Sequence, residues 1–241
     1  MDHTYQTESF KSGLIAPAGQ VVQSRFMNRT YGWMVFGLLL TAIMSIVIAS
    51  SESAIQFIFA NQWLLYGVLI TELVVVFGLS AAHKRLSATT ATLGFLFYSV
   101  LNGVTFSVIF LAYQLGSIGQ IFLLAAGMFG GLAIYGSVTK RSLSGVGTFM
   151  SMGLFGIIIL SIVNFFTKSD SLNFGIGIAA IVIFSGLTAY DTQRIRLMAS
   201  EYSGSDSDDE KKGAIFGALA LYLDFINLFL SLLRIFGRRR N

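Results

Sequence analysis

The chain has no cysteine and a single proline, Pro17, among its 241 residues. The absence of cysteine excludes a disulfide framework, a cysteine-ligated zinc site and a thiol nucleophile. Charged residues are also scarce, at 12% of the chain, where about 25% is usual in a soluble domain. So few charged side chains cannot cover the surface of a chain that is 54% hydrophobic. The composition therefore argues against a soluble globular protein.

Seven apolar runs are long enough to cross a bilayer, whose hydrocarbon core requires about 20 residues of helix. Because backbone polar groups in lipid must be satisfied within their own segment, each run is predicted to be a helix. The expected fold is all-α: a polytopic membrane protein with one seven-transmembrane-helix domain over residues 31–236. A polar cytoplasmic tail, 1–30, precedes it and a basic tail, 237–241, follows it. The predicted spans are 31–50, 63–82, 91–113, 118–138, 146–166, 172–190 and 213–236.

The placement of lysine and arginine predicts the orientation, since short cytoplasmic loops carry an excess of both. With the N-terminus in the cytoplasm, nearly all of these residues before the last span lie inside, and only Lys168 lies outside. Seven crossings would place Arg234 and residues 238–240 outside, against the rule, whereas a re-entrant last segment would place them inside. We favour seven crossings because the last run is long enough to span. The first span is expected to act as its own insertion signal, since residues 1–30 have no apolar core.

The isoelectric point of about 9.4 is explained by these loop and tail residues, which form no single patch. No nucleic-acid partner is therefore expected, and membrane lipid is. Small residues at helical spacing predict close helix packing in two spans. They are Gly127 and Gly131 in the fourth span, and Gly213, Gly217 and Ala220 in the last.

Two carboxylates lie within the predicted spans and a third directly follows the sixth span. An ionisable group inside a span costs about 3 kcal/mol or more and is a functional candidate by default. The three carboxylates are Glu72, Asp191 and Asp224. In the last span Asp224 belongs to one small and polar helix face, which we expect to point into the bundle. The other members of that face are Gly217, Ala220, Asn227, Ser231 and Arg234.

The second span places His83 three turns from Glu72, so that the two lie nearly in line. His83, Lys84 and Arg85 then lie at the inner mouth below Glu72. An uncharged polar helix face that includes Asn102 lies on the third span. The alternative to a functional role is a purely structural one for each of the three carboxylates. In that case the carboxylate is satisfied by a hydrogen bond between helices.

Three segments, 101–107, 184–193 and 218–229, together with Glu72, resemble signature motifs of the Bax inhibitor family. Members of this family are also called transmembrane Bax inhibitor motif proteins. The tyrosine–aspartate motifs at Asp191 and Asp224 are specific as a pair, and the resemblance extends from about residue 23 to residue 237. It indicates a bacterial inner-membrane member of the family.

The resemblance implies a seven-helix fold with the last helix central, and a calcium leak that responds to pH. It also implies that Asp191 and Asp224 share a proton, and that a basic residue at the end of the second span latches onto them. The position expected to carry arginine is His83 here, followed by Lys84 and Arg85. Because histidine changes its protonation near neutral pH, a histidine latch is expected to alter the pH dependence.

We therefore predict a pH-sensitive calcium leak channel, gated by the aspartate pair, with no cofactor and with Ca²⁺ as the permeant ion. Hard oxygen ligands of the kind that Ca²⁺ prefers are predicted along a pathway that includes Glu72, Asn102 and Asn227. Asp191, Asp224 and Glu72 are the predicted transient calcium ligands. The alternative is an interaction protein that modulates a membrane protease or stress and cell-death machinery and transports nothing itself.

An enzyme is not expected. An intramembrane aspartyl protease would use two aspartates, but its Gly-x-Gly-Asp context is absent here, because Ala189 and Tyr190 precede Asp191.

Overall fold

Eight helices make up the part of the chain described by the computed structural model, which covers residues 18–200, Tyr202 and residues 207–240. The predicted tails thus lie partly outside the described residues, at 1–17 and at Asn241. The all-α prediction is confirmed for the described part. In chain order the helices are α1 (Ala18–Ala49), α2 (Glu52–Ala60), α3 (Gln62–Ala82), α4 (Ala88–Ala112), α5 (Leu115–Val138), α6 (Ser144–Thr167), α7 (Asp170–Ala199) and α8 (Asp208–Phe236).

Seven of these helices are long and apolar enough to cross a membrane, and they contain almost all of the predicted apolar runs. The exception is α2, a short helix in the connection between the first two spans. Several helices extend beyond the predicted run because serine side chains cap them in polar flanking sequence. At the start of α7, Ser169 Oγ accepts a hydrogen bond from the backbone N–H of Leu172, and at the start of α8 Ser207 Oγ accepts one from that of Glu210.

The last helix, α8, lies at the centre of the bundle, as predicted. It packs against α1, α4, α5 and α7, and 72% of its apolar stretch is buried, against 6% in α3 and in α6. These two peripheral helices pack chiefly against one long neighbour each, α3 against α4 and α6 against α7. Their outward side chains, such as Trp63 and Phe166, are strongly exposed, as expected of residues that face lipid.

The bundle has two ends, which we call proximal and distal. The proximal end holds His83 and the start of α8, where the Asp208 carboxylate accepts a 3.1 Å hydrogen bond from the first N–H of α4, on Ala88. The distal end holds Tyr113 and the end of α8. Between these ends α8 is one continuous helix from Asp208 to Phe236, which is the arrangement that seven crossings require.

Residues 237–240 form a short segment, the terminal strap, that is hydrogen-bonded to the connection between α4 and α5. The backbone N–H of Arg238 donates to Ser117 Oγ at 2.9 Å, and its carbonyl accepts from Gln114 N–H at 3.0 Å. The N–H of Arg240 donates to the Ala112 carbonyl at 2.9 Å. The C-terminal arginines are therefore held at the distal end, opposite the start of α8.

The small-residue predictions have mixed outcomes. In the last span, Gly217 packs against Thr30 and Ile195, so the close approach predicted there is confirmed. The prediction for Gly127 and Gly131 is wrong, since nothing lies within 4 Å of where a Cβ would stand at either position. The spacing of small residues shows that they share a face, but not that a helix covers that face.

Close helix contacts instead surround the sixth predicted span near Asp191. Gly136 on α5 packs directly against the carbonyl oxygen of Ala189, and Gly147 on α6 packs against the ring of Tyr190. A Cβ atom at Gly136 would collide with the backbone of α7, the helix that carries Asp191, and one at Gly147 would collide with the Tyr190 ring. The two glycines thus allow α5 and α6 to pack closely against α7 next to Asp191.

Candidate functional site

Asp191 on α7 and Asp224 on α8 meet where these two helices pack together. Asp191 is partly buried, and Asp224 is only 4% exposed. Their carboxyl groups are close neighbours in this interface. An ionised carboxylate can only accept hydrogen bonds, so two such groups can bond each other only when one of them carries a proton. The structure thus brings together the two aspartates that the sequence pairs.

Little else stabilises the carboxyl group of Asp224. Its Oδ2 atom is buried and has no hydrogen-bond partner among the described residues. A buried charge is costly unless it is paired or well hydrogen-bonded. Asp191 is therefore the principal polar neighbour of the Asp224 carboxyl group among the described residues.

A cavity of about 730 Å³ opens at the proximal end, between α3, α7 and α8. Asp191 lines this proximal cavity, whereas Asp224 is not among its lining residues. Asp191 is thus the member of the pair that a solvated ion or proton reaches from this end. The polar and charged lining residues are Ser80, His83, Asp191, Arg194, Tyr202, Asp209 and Lys212.

Of the three residues predicted as the basic latch, only His83 lines the proximal cavity. Its Nδ1 lies 3.0 Å from the carbonyl oxygen of Ser80, and its ring stands edge-on to Phe216 with centroids 6.0 Å apart. Lys84 and Arg85 are exposed and lie outside the lining. In the described part of the chain none of the three forms an ion pair with either aspartate.

A basic residue that the sequence analysis did not single out acts on the pair. Arg194 follows Asp191 by one turn on α7, lines the same cavity, and attracts the Asp191 carboxylate electrostatically. The i, i+3 spacing that places two side chains on one helix face was the available signal. The cation that faces the pair in this conformation is therefore supplied by α7 itself.

The first turn of α8 carries acidic residues with distinct roles. At the cavity rim Asp209 accepts a 2.7 Å hydrogen bond from Lys212 Nζ in an ion pair. Glu210 is fully buried, and within the described residues neither of its carboxylate oxygens has a hydrogen-bond partner. The positive end of the helix dipole favours negative charge in this turn. Glu210 is not among the predicted site residues because it lies before the apolar run.

A second cavity, of about 570 Å³, lies toward the distal end between α6, α7 and α8. Most of its lining is apolar, and its polar residues are Ser161 on α6 and Asn227, Ser231 and Arg234 on α8. Asn227 Nδ2 donates to the carbonyl of Leu223 at 2.8 Å, and Ser231 Oγ donates to that of Asn227 at 2.7 Å. This distal cavity therefore contains the predicted pathway residue Asn227.

One face of α8 connects the two cavities. Gly217 and Ala220 line the proximal cavity, and Asn227 and Ser231 line the distal cavity. Asp224 lies between these two sets along the helix and is buried against α7. The small and polar face predicted from helical spacing is thus interrupted at the aspartate pair, which separates one cavity from the other.

Glu72 on α3 lies in a different polar cluster. Its carboxylate accepts a 2.6 Å hydrogen bond from Thr105 Oγ1 on α4. Asn102 is buried one turn before Thr105 on α4 and donates to the carbonyl of Tyr98 at 3.4 Å. Glu72 and Asn102 are therefore neighbours, whereas Asn227 lies apart from them.

The three residues predicted as calcium ligands therefore do not lie together at one place. Within the described residues, no group of three or more His, Asp or Glu side chains is arranged to hold a metal ion. Asp191 and Asp224 are together, but Glu72 does not join them. The reason is that Glu72 faces α4 from a peripheral helix, while the pair lies between α7 and α8.

Comparison with known proteins agrees with this arrangement. A sequence model described as Inhibitor of apoptosis-promoting Bax1, the Bax inhibitor family, matches residues 23–241. The chain belongs to the Bax inhibitor family. The match covers every described transmembrane helix except the first residues of α1, so membership applies to the whole bundle and to both aspartates.

Relatives within the family come from several bacteria. "Inner membrane protein YbhL" of Escherichia coli K12 is 46% identical over 89% of this chain and 92% of its own length. An uncharacterized protein of Borreliella burgdorferi is 41% identical over 92% of this chain and 95% of its own. An uncharacterized membrane protein of Streptococcus pyogenes serotype M1 is 36% identical over 98% of both chains. These family members support an integral membrane protein.

Proposed function

We propose that this protein is a pH-responsive cation leak channel for Ca²⁺, gated by the Asp191–Asp224 pair. The observation that carries the proposal is the position of the pair, between the proximal and distal cavities on one face of the central helix. If a shared proton holds the two helices together between the cavities, loss of that proton can open a path from one cavity to the other. The likeness to the Bax inhibitor family adds support, since a pH-dependent calcium leak is associated with it.

In the proposed closed state the proton shared by Asp191 and Asp224 holds α7 against α8. Loss of the proton leaves two like charges in a poorly solvated site, where both cannot ionise cheaply. Repulsion then separates the helices at this point and joins the two cavities. The carboxylate and amide oxygens of Asp191, Asp224 and Asn227 are hard ligands of the kind that Ca²⁺ prefers.

We further propose that the proximal end faces the cytoplasm and that the membrane is the bacterial inner membrane. The connections at the proximal end carry most of the described lysines and arginines, as cytoplasmic loops do. Examples are Lys84, Arg85, Lys140 and Arg141. The Escherichia coli relative is named an inner membrane protein, which supports the choice of membrane. Protons in the cytoplasm would then reach Asp191 through the proximal cavity.

The test is Ca²⁺ flux into liposomes that contain only the purified full-length chain, measured from pH 6 to pH 8. We expect flux to rise with pH by about tenfold, because loss of one proton opens the path. Asp191→Asn and Asp224→Asn should each remove this rise, since an amide cannot supply the second negative charge.

The matched control is Asp209→Asn, which alters a carboxylate on the same cavity but outside the pair. It should retain the wild-type pH profile. If both pair variants kept the wild-type profile, the pair would have no part in gating. If the purified chain gave no flux at any pH, the alternative of a protein that modulates a membrane protease or stress machinery would be favoured instead.

A further inference from the structure

The distal cavity contains a cation that the leak mechanism leaves unexplained. Arg234 lies two residues before the end of α8 and lines this cavity. In the described part of the chain it forms no ion pair with a carboxylate. Arginine side chains near helix ends extend to the membrane interface, where anionic lipid headgroups lie. The distal cavity therefore presents an exposed cation that an anionic group can approach.

The cavity opens sideways toward lipid. Its α6 wall is built from apolar side chains that are strongly exposed, including Ile162 (57%), Phe165 (66%) and Phe166 (76%). Because α6 packs chiefly against α7, a crevice remains between α6 and α8. Its floor is formed by buried apolar residues of α7, such as Ile176 and Phe184. The crevice is thus continuous with the hydrocarbon region of a membrane.

Polar groups in the crevice are graded with depth. At a rise of 1.5 Å per residue, Ser231 lies about 4.5 Å and Asn227 about 10 Å deeper than Arg234 along α8. Arg234 offers up to five N–H donors, and Asn227 retains one N–H beyond the one it gives to Leu223. A charged donor near the surface, a neutral donor below it and apolar walls deeper still match the order of phosphate, ester and acyl chain in a phospholipid.

We propose that the distal cavity is a binding site for one anionic phospholipid. The lipid phosphate accepts hydrogen bonds from the Arg234 guanidinium, an ester carbonyl accepts from the free N–H of Asn227, and an acyl chain lies along α6 and α7. Phosphate and guanidinium form charge-assisted, often bidentate, hydrogen bonds. The site shares the distal cavity and Asn227 with the proposed cation path, so a lipid and a permeant ion would exclude each other there. Lipid occupancy is measured without any flux, so failure of the lipid site is distinguishable from failure of the leak.

The neighbouring strap provides the competing explanation. Arg238, Arg239 and Arg240 are exposed at the same end, and a row of cations attracts anionic lipid without a defined site, at about 1 kcal/mol per residue near the surface. Such attraction depends on charge alone. Binding at a defined site depends in addition on the shape of the cavity and on the acyl chains of the lipid. Variants and ligands that change only these features therefore distinguish the two explanations.

The experiment is native mass spectrometry of the purified, delipidated full-length chain, titrated with phosphatidylglycerol. We expect one tightly bound lipid per wild-type chain and about tenfold weaker binding for Arg234→Gln. Ser161→Phe should weaken binding to a similar degree, because it fills the cavity from an exposed position on α6 without changing charge. Arg238→Gln is the matched control and should bind like wild type, since it removes the same charge from the strap.

Three results would overturn the site. Equal loss of binding in Arg234→Gln and Arg238→Gln would show a diffuse charge effect. Equal binding of glycerophosphate, which has no acyl chains, would show a phosphate site rather than a lipid site. Failure of the wild type to bind any phosphatidylglycerol would show no site at all. Thermal unfolding of each variant in detergent checks that a loss of binding is not a loss of fold.

Discussion

The two places where carboxylates lie inside the membrane differ in what satisfies them. Glu72 receives a 2.6 Å hydrogen bond from the Thr105 hydroxyl, so an ordinary donor on the next helix stabilises it. Asp224 faces Asp191 instead, and its Oδ2 has no partner among the described residues. A carboxylate that meets a hydroxyl is a packing contact between helices. A carboxylate that meets another carboxylate depends on a proton, and it is therefore the better candidate for a switch.

The two sites also differ in the helices that carry them. Glu72 is on α3, a peripheral helix that packs chiefly against α4, whereas Asp224 is on the central helix. Glu72 lines neither the proximal nor the distal cavity. A change at the aspartate pair therefore affects the interior of the bundle and the space between its cavities. A change at Glu72 affects the attachment of one outer helix.

The largest expected difference between the two sites is in the pH response of flux. The aspartate pair should behave as a unit, so that the double variant Asp191→Asn with Asp224→Asn loses no more of the pH response than either single variant. Glu72→Gln should retain the full response of about tenfold between pH 6 and pH 8. The measurement is Ca²⁺ flux into liposomes. Loss of the pH response in Glu72→Gln would show that the response does not belong to the aspartate pair alone.

A smaller effect is expected when Glu72 loses its donor. Thr105→Val leaves a buried carboxylate without its hydrogen bond, which should cost about 1–3 kcal/mol of stability. The measurement is the unfolding midpoint in detergent, together with an unchanged pH profile of flux. Thr148→Val is the matched control, because the Thr148 hydroxyl bonds only the Ser144 carbonyl on an exposed helix face. Equal destabilisation in the two variants would mean that the carboxylate contributes nothing.

The smallest effect is expected from Glu72→Gln on stability. The amide oxygen still accepts the hydrogen bond from Thr105, and the substitution removes a buried charge at the same time. The change in unfolding free energy should therefore remain below about 1 kcal/mol. A loss larger than that of Thr105→Val, measured in the same detergent, would show that the negative charge of Glu72 has a role of its own.

Most of the secondary structure could be predicted from the sequence. In lipid a helix satisfies its own backbone, so an apolar run of about 20 residues nearly determines the local structure. The ends were less accurate, because capping residues such as Ser169 and Ser207 extend α7 and α8 into polar sequence. The short helix α2 was missed because its sequence is too short to span.

The candidate site was predicted in part. The family resemblance pairs Asp191 with Asp224, and the structure brings them together. Arg194 was not singled out, and the structure places it, rather than Lys84 or Arg85, on the cavity beside Asp191. Gly127 and Gly131 were assigned to packing, yet the close contacts belong to Gly136 and Gly147. In each miss, the sequence showed the face of a helix but not its neighbour.

The sequence by itself determined that the chain forms membrane-spanning helices and that three carboxylates lie within or directly next to them. The scarcity of charge and the length of the apolar runs leave no other way to satisfy the backbone in lipid. Only the tertiary structure decided that Asp224 meets Asp191 while Glu72 meets Thr105. The physical reason is that the helical period fixes the direction of each side chain about its own axis, whereas the order in which helices pack around α8 fixes what that side chain touches.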